Sequence, residues 1–441
     1  MSSSISSLYL KITTPKIRAS LTALLVFLLP FERIPSLDIF SSTIRLSQLV
    51  GLALIFVSVG PIIDFYKIKP RLPKLLLPAF ILSYLVSAVL ATDLKRAAMI
   101  WIFTVFVALV GSAIAATFTA NELPRLEKYL YISTAIVLVV GFYQYFGDVF
   151  GLSPAMTGLR DIYTKEVFGF PRIQSTALEP LYYGSFLLIP YCLLLAKRLI
   201  GYKGITTAQT ILFVALTAQV LLTVSRGAIY GGILATALLV ILLLFKKGTS
   251  FKRVAVAVGL LLVAAAFALF FTWLPTKIIN TPKTTNNTEK LVKQASNFNS
   301  QDDRKRNRLL AAEAFKQDPV LGIGPGNFSQ YAVTKYPKYA KAAPVIVNNE
   351  PLELLAEAGI IGFVLFIAFV GWFYITVSYG YIKGRYNNRQ LVYWVPAILV
   401  YLVTLAIQYQ TFSTLYIMHV WVVIGLLMAF GSAQLSEKAT K

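Results

Sequence analysis

The sequence predicts an all-α polytopic membrane protein with about twelve transmembrane helices. Its 441 residues are 57% hydrophobic and only 14% charged, whereas soluble domains carry about 25% charged residues. Apolar runs of roughly 18 to 22 residues recur along the chain, and this is the length that a helix needs to cross a bilayer. We therefore expect a single membrane domain, 1–441, with no soluble catalytic domain at either end.

Charges or proline and glycine bound the apolar runs, and these residues mark loops between helices. We place the spans near residues 19–32, 46–63, 73–91, 98–118, 128–147, 179–196, 206–224, 227–245, 254–274, 351–380, 391–409 and 414–433. The first run is followed by Glu32 and Arg33 and has no small-residue cleavage site. We interpret it as a retained span and not as a signal peptide.

Basic residues mark alternate connections and predict the orientation of the chain. The basic set comprises Lys67, Lys69, Arg71, Lys74, Lys197, Arg198, Lys203, Lys246, Lys247, Lys252, Arg253, Lys383, Arg385 and Arg389. Because cytoplasmic loops concentrate lysine and arginine, we expect these loops and both termini in the cytoplasm. The net charge of +22 has the same origin, and no basic patch interleaved with stacking aromatics indicates nucleic-acid binding.

Two longer connections then lie on the outer side of the membrane, 148–178 and 275–350. The second joins spans nine and ten, and loops of that length are usually functional or disordered. We expect its polar part, Thr281–Ser300, to be mobile. After it, an aspartate pair can cap a helix that runs to about Gln317. This helix is amphipathic, with its apolar face formed by Leu310, Ala311, Ala314 and Phe315.

Three arginines on the outer side suggest an anion site. Arg172 precedes span six, Arg226 lies in the minimal connection between spans seven and eight, and Arg304 lies in the long loop. Charges at the membrane edge are costly and tend to be functional. Spans six, eight and ten begin on this side, and helix N-termini attract anions. Since arginine forks suit phosphate oxygens, the pattern predicts a diphosphate site at the outer leaflet.

The long loop supplies further candidates for this site. A turn with Gly324, Gly326 and Asn327 could offer backbone N–H groups to an anion, or could simply make a tight turn. Asn348 and Asn349 precede span ten, where they could bind substrate or cap the helix.

Two carboxylates are also candidates. Glu179 and Glu353 stand at the starts of spans six and ten, where an acid is favoured by the helix dipole and could alternatively serve as a base. The single histidine, His419, is expected to be a packed interior residue, and no cluster of acids and histidines completes a metal site. We therefore predict no metal and no cofactor.

The order and spacing of these motifs resemble the O-antigen ligase and polymerase family of bacterial inner-membrane glycan transferases. The resemblance rests on R-x14-P-V-L-G-I-G-P-G-N-F at Arg304–Phe328 and on N-N-E-P-L-E-L-L-A-E-A-G-I-I-G at Asn348–Gly362. The Ser225-Arg226-Gly227 step and the stretch around Arg172 also fit. Together these segments cover about a third of the chain.

The resemblance implies a GT-C-like helical fold and a metal-independent glycosyltransferase of the bacterial inner membrane. Such an enzyme transfers a glycan from an undecaprenyl-diphosphate-linked oligosaccharide to an acceptor hydroxyl at the periplasmic face. The acceptor would be another glycan, as in O-antigen or exopolysaccharide polymerases, or the lipid A core of lipopolysaccharide, as in O-antigen ligases. By analogy, Arg172 and Arg226 would hold the diphosphate and stabilise the leaving group.

One position departs from the family pattern. Ligases carry a histidine, the proposed base, where this chain has Asn348, and asparagine cannot accept a proton at neutral pH. Either Glu179, Glu350 or Glu353 deprotonates the acceptor, or leaving-group stabilisation supplies most of the rate. The departure makes polymerisation of repeat units at least as consistent with the sequence as ligation to lipid A core.

Two other function classes fit parts of the pattern. A polytopic transporter also suits twelve spans, but carriers place polar residues near the midplane in two related halves, whereas here they gather at one face. A catalytically decayed scaffold of a polysaccharide-assembly complex would explain the missing histidine.

Overall fold

The computed structural model describes residues 14–39, 42–246, 249–278, 301–337, 345–386, 388–413 and 415–439. The polar stretch Thr281–Ser300 lies outside these residues. Within the described part the chain is a bundle of long helices. Its strands form one antiparallel hairpin, in which β1 (Ser36–Ile39) pairs with β2 (Ser42–Arg45). The predicted all-α polytopic fold class is confirmed.

The helices follow one another where the apolar runs predict them. In chain order they are α1 (Pro15–Leu28), α2 (Leu46–Lys67), α3 (Leu72–Val89), α4 (Leu94–Thr117), α5 (Leu123–Val149), α6 (Pro180–Ile200), α7 (Thr207–Leu222), α8 (Arg226–Phe245), α9 (Phe251–Ile278), α10 (Gln301–Gln317), α11 (Phe328–Lys335), α12 (Glu350–Ile382), α13 (Leu391–Gln408) and α14 (Met418–Ala439). Single turns lie at Ala120–Glu122, Pro154–Thr157, Asp161–Tyr163 and Lys165–Phe168.

Nine helices in the described part of the chain are long and apolar enough to cross a membrane. They are α2 to α6, α8, α9, α12 and α13. The shorter helices α7 and α14 are also apolar, and α1 has 14 residues. Each of the twelve predicted spans therefore coincides with a helix, and the chain is a multi-pass membrane protein.

Local sequence signals fix several helix ends. The carboxylate of Asp93 caps α4 by accepting the N–H of Arg96 at 3.0 Å, as the N-cap preference for aspartate requires. Gly201 ends α6 in the left-handed conformation, at φ 72°, which glycine adopts without steric cost. The connections are thus set by the residues that flank each apolar run.

The connections gather at two ends of the bundle. At one end, the N–H of Arg33 donates to Thr176 O at 2.8 Å and that of Ile173 donates to Leu222 O at 3.4 Å. At the opposite end, Arg253 donates to Ile200 O at 2.8 Å. We call the first end the site end; it contains residues 150–179, 223–225 and 409–413. The basic connections lie at the other end.

Helix α6 lies at the centre of the bundle, with 89% of its apolar stretch buried. It packs against α8 and α13, while α14 packs against α4. In the second pair the backbones approach closely, since a Cβ on Gly425 would lie 2.7 Å from Gly111 O. Small residues commonly permit such helix crossings in membranes. A rigid bundle therefore supports the start of α6 at the site end.

The predicted amphipathic helix is present as α10. Its apolar face contributes Leu310, Ala311 and Ala314 to a separate small core that also contains Phe328 and Ala356. The long connection thus contains folded structure that is packed on the start of α12.

Candidate functional site

Arg172 is held against the turn between α7 and α8. Its Nε and Nη2 donate to Thr223 O at 3.3 Å and to Val224 O at 3.4 Å. Its guanidinium also lies 5.5 Å from the centre of the Tyr163 ring, a cation–π arrangement. These contacts place an arginine from the 148–178 connection directly beside the segment that carries Arg226.

Arg226 is the first residue of α8, and its side chain is exposed. The turn before it is strained, since Val224 has φ 49°, a conformation in which a β-branched residue is an outlier. Ser225 occupies the N-cap position but makes no side-chain capping hydrogen bond. The first-turn N–H groups and the positive dipole end of α8 therefore lie beside the guanidinium.

Arg304 lies on the first turns of α10 and is half-buried. Its Nε is buried and has no hydrogen-bond partner among the described residues, although buried polar atoms are nearly always paired. One turn later, Arg308 donates to Gln410 O at 3.0 Å. This contact fixes the start of α10 over the connection that follows α13.

The three arginines form one electrostatic cluster. Burial lowers the pKa of Arg172, and repulsion from Arg226 and Arg304 lowers it further. Burial likewise lowers the pKa of Arg304, with Arg226 and Arg308 adding to the effect. Guanidinium groups stay charged in proteins, so the site concentrates positive charge that an anion would stabilise.

Glu179 is the carboxylate that faces this cluster. It precedes the first residue of α6, and its side chain makes no capping hydrogen bond to that helix. Burial raises its pKa, although Arg160, Arg172 and Arg304 oppose the rise. The carboxylate therefore lies at the N-terminus of α6 beside the arginines, and both its interaction with the helix dipole and its role as a base stay predictions.

The glycine turn before α11 performs a structural task. The N–H groups of Gly326 and Phe328 donate to the Glu357 carboxylate, at 2.8 Å and 3.3 Å. The N–H of Gly324 donates to Glu357 O at 3.1 Å. Asn327 Oδ1 accepts the N–H of Asp93 at 2.8 Å. Substrate binding by Gly324, Gly326 and Asn327 stays a prediction, while their described contacts join the start of α11 to α12 and to the start of α4.

A break in α12 packs against the residues just before this turn. Gly359 has φ 63° and ψ −172° inside the helix, a region of backbone conformation that essentially only glycine adopts. The N–H of Ile360 donates to Pro319 O at 2.9 Å across the break. A Cβ on Gly359 would lie 2.3 Å from Val320 O. The two motifs of the long loop therefore interlock through their backbones.

Asn349 caps α12, whereas Asn348 does not. Asn349 Oδ1 accepts the N–H of Leu352 at 3.0 Å. Asn348 has φ 58°, which asparagine tolerates better than most residues, and its side chain is half-buried at the site end. The carboxylate of Glu353 accepts the N–H of Val347 at 2.8 Å. Glu353 therefore holds the backbone that presents Asn348.

The segment 408–413 also belongs to the site, although its sequence does not predict this. Gln408 Nε2 donates to Gly227 O at 3.3 Å, next to Arg226. Gln410 Oε1 accepts from Asn349 Nδ2 at 3.0 Å, and Ser413 Oγ accepts the N–H of Asn349 at 2.8 Å. The starts of α8 and α12 and the middle of α10 all contact this segment. The available signal was its polar run, Gln408 to Ser413, between two apolar spans.

Glu357 was also missed, because a glutamate in an apolar helix start gives no indication of its partners. Its carboxylate accepts from two backbone N–H groups of the glycine turn and from Tyr84 at 3.3 Å. His419 is buried, with its ring near Ser185 and Phe186. It lies within the bundle, as expected of a packed interior histidine.

Comparison with known proteins gives a family match over part of the chain. No curated protein matches the chain. Residues 211–367 match the family model described as O-antigen ligase. The matched region contains Arg226, Arg304 and both long-loop motifs, while Arg172 and Glu179 reach the site from outside it. This family comprises glycosyltransferase-like enzymes. The match supports the resemblance that the motifs predict, and it extends over residues 211–367 of the 441.

Proposed function

We propose that this protein transfers a glycan from an undecaprenyl-diphosphate-linked donor to an acceptor hydroxyl. The observation that carries the proposal is the convergence of Arg172, Arg226 and Arg304 from three separate segments at one end of the bundle. The uncapped start of α8 adds backbone N–H groups and a positive dipole end beside them. Diphosphate is the anionic group that a lipid-linked donor brings to such a site.

In the proposed reaction, the acceptor oxygen attacks the anomeric carbon of the donor sugar. The bond from that carbon to the diphosphate oxygen breaks, and the electron pair leaves with the lipid diphosphate. Negative charge therefore develops on the leaving group, where the arginines stabilise it more strongly than in the intact donor. Because these side chains supply the positive charge, we propose that the transfer requires no metal.

We propose Glu179 as the base that takes the proton from the acceptor hydroxyl. It lies within electrostatic range of Arg172 and Arg304, and burial raises its pKa, which makes its carboxylate a stronger base. Glu353 is a weaker candidate because its carboxylate already accepts the N–H of Val347. Asn348 cannot accept the proton, and we assign it hydrogen bonding to the sugar or the acceptor.

The proposed orientation places the site end in the periplasm and both termini in the cytoplasm of the inner membrane. Its support is the basic end of the bundle, opposite the site, where cytoplasmic lysine and arginine are expected. The segments 148–178 and 275–350 are then periplasmic. We expect the lipid-linked donor to reach the site from the outer leaflet of the membrane.

The decisive experiment measures transfer by purified protein in nanodiscs, with a radiolabelled undecaprenyl-diphosphate oligosaccharide as donor. Arg226→Ala is expected to lower the rate by about 100-fold or more, as expected for removing a group that stabilises transition-state charge. Arg125→Ala is the matched control, since Arg125 contacts Ser20 at an exposed position on α5. A fully active Arg226→Ala protein would refute the diphosphate role.

The same assay separates the two acceptor classes and tests the absence of a metal. Elongation of the donor's own glycan indicates a polymerase, whereas transfer only to added lipid A core indicates a ligase. Activity that persists in excess EDTA is expected, and a complete loss that Mg²⁺ restores would contradict metal-independent transfer.

A further inference from the structure

A second basic cavity lies at the site end, beside the arginine cluster but separate from it. It has a volume of about 540 Å³ and is lined by residues of the α1–β1 connection and of the segment 154–162. Its charged lining residues are Arg33, Arg160 and Asp161. The volume lies within the range of small-molecule sites, roughly 300 to 1,000 Å³.

Arg33 is positioned by backbone contacts on both sides of the cavity. Its N–H donates to Thr176 O at 2.8 Å, and its guanidinium donates to Gly158 O. Gly158 has φ 69°, so this turn of the cavity wall uses a conformation that favours glycine. Arg33 is thus half-buried, and these backbone contacts hold it in the cavity wall.

Arg160 contributes the second guanidinium. Its Nη1 donates to Leu178 O at 3.3 Å, and the group lies 5.8 Å from the centre of the Tyr163 ring. Burial lowers the pKa of Arg33, and repulsion from Arg160 lowers it further. The two guanidinium groups therefore repel each other across the cavity, and an anion between them would relieve that repulsion.

Glu179 connects this cavity to the arginine cluster. Leu178, whose carbonyl holds Arg160, directly precedes it, and Arg160, Arg172 and Arg304 all lie within its electrostatic range. A ligand in the cavity would therefore extend toward the proposed transfer site.

We propose that this cavity is a subsite for an acidic sugar, in which Arg33 and Arg160 bind the carboxylate of a uronic-acid-type unit. This assignment rests on the proposed glycan transfer for its position next to the reacting groups. Paired guanidinium forks match the geometry of a carboxylate. The remaining space of the cavity would accommodate the sugar ring.

The test is binding of trigalacturonic acid to the full-length protein in nanodiscs of neutral lipid, measured by isothermal titration calorimetry, with maltotriose as the neutral probe. We expect the acidic trisaccharide to bind measurably more tightly than maltotriose. Arg160→Gln should weaken its binding about tenfold or more, because a charge-assisted hydrogen bond is lost. Arg33→Lys keeps the positive charge but loses the forked guanidinium, and we expect a loss of affinity between those of the wild type and Arg160→Gln. Arg125→Gln is the control.

Three results would overturn the assignment. Equal binding of the two trisaccharides would exclude recognition of the carboxylate. Unchanged binding by Arg160→Gln, in a protein with unchanged thermal stability, would place the acidic sugar elsewhere. Loss of trisaccharide binding on adding phosphatidylglycerol to the nanodiscs would assign the cavity to a lipid headgroup. Failure of the proposed transfer is recognised separately, as the absence of glycan transfer by the wild-type protein in the nanodisc assay.

Discussion

Replacing Gly359 with alanine tests whether the break in α12 determines the architecture of the site. The backbone at Gly359 lies at φ 63° and ψ −172°, where a residue with a side chain costs about 1–3 kcal/mol. The added Cβ would also meet Val320 O at 2.3 Å and Leu321 N at 2.6 Å. These are backbone atoms that cannot rotate away, and overpacking costs roughly 1–3 kcal/mol more.

The expected loss for Gly359→Ala is therefore about 2–6 kcal/mol in the free energy of unfolding. Gly371→Ala is the matched control in the same helix, because its added Cβ meets no atom within 4 Å and alanine suits a helix at least as well as glycine. The assay is unfolding of the purified protein in detergent micelles, followed by tryptophan fluorescence, together with the glycan-transfer rate in nanodiscs.

We expect Gly359→Ala to melt well below the wild type and to lose transfer activity, and Gly371→Ala to match the wild type in both measurements. The activity loss follows because the break joins α12 to the loop that positions Arg304. Equal stability of the two variants would refute the argument that the glycine turn and α12 interlock through their backbones.

Three further outcomes follow from the contacts. Glu179→Gln should remove the acidic limb of the transfer pH profile. Burial raises the pKa of Glu179 above 4.5. As the pH is lowered, the wild-type rate should therefore begin to fall before pH 4.5 is reached, because the carboxylate is protonated. A raised carboxyl pKa stabilises the folded state as the pH falls, so protonation of Glu179 should lower the rate without unfolding the protein. An acidic limb that is unchanged in Glu179→Gln would rule Glu179 out as the base. Glu357→Gln should lower the free energy of unfolding by roughly 1–3 kcal/mol, because the amide NH₂ of the new glutamine cannot accept the N–H of Gly326. A melting temperature equal to that of the wild type would contradict this stabilising role of the carboxylate. Lys197→Ala should destabilise the protein by about 3–5 kcal/mol by leaving buried Glu127 without its ion-pair partner, and Lys197→Ala with Glu127→Gln should recover much of that loss in the same melting assay.

The membrane architecture was predictable because its cause is local. A spanning helix must be apolar over its own length, so each run and its bounding charges can be recognised without knowledge of its neighbours. Asp93 at the start of α4 and Gly201 at the end of α6 act in the same local way. The predicted span list is therefore matched helix for helix in the described residues.

The site was only partly predictable, because its contacts join distant residues. The sequence identified Arg172, Arg226 and Arg304 as unusual charges, but not that Arg172 donates to the turn before Arg226. It also could not show that the Gly326 N–H is occupied by Glu357. A hydrogen-bond partner 31 residues away leaves no periodic pattern in the chain.

The sequence by itself thus determined that this is a helical membrane protein with an O-antigen ligase type motif and unusual arginines at one face, since hydropathy and residue spacing are properties of the chain. The tertiary structure alone decided which groups meet. It placed Glu179 among the arginines, placed the segment 408–413 against α8, α10 and α12, and formed the cavity between Arg33 and Arg160. These features depend on how helices pack in three dimensions, and packing is fixed by contacts between residues far apart in sequence.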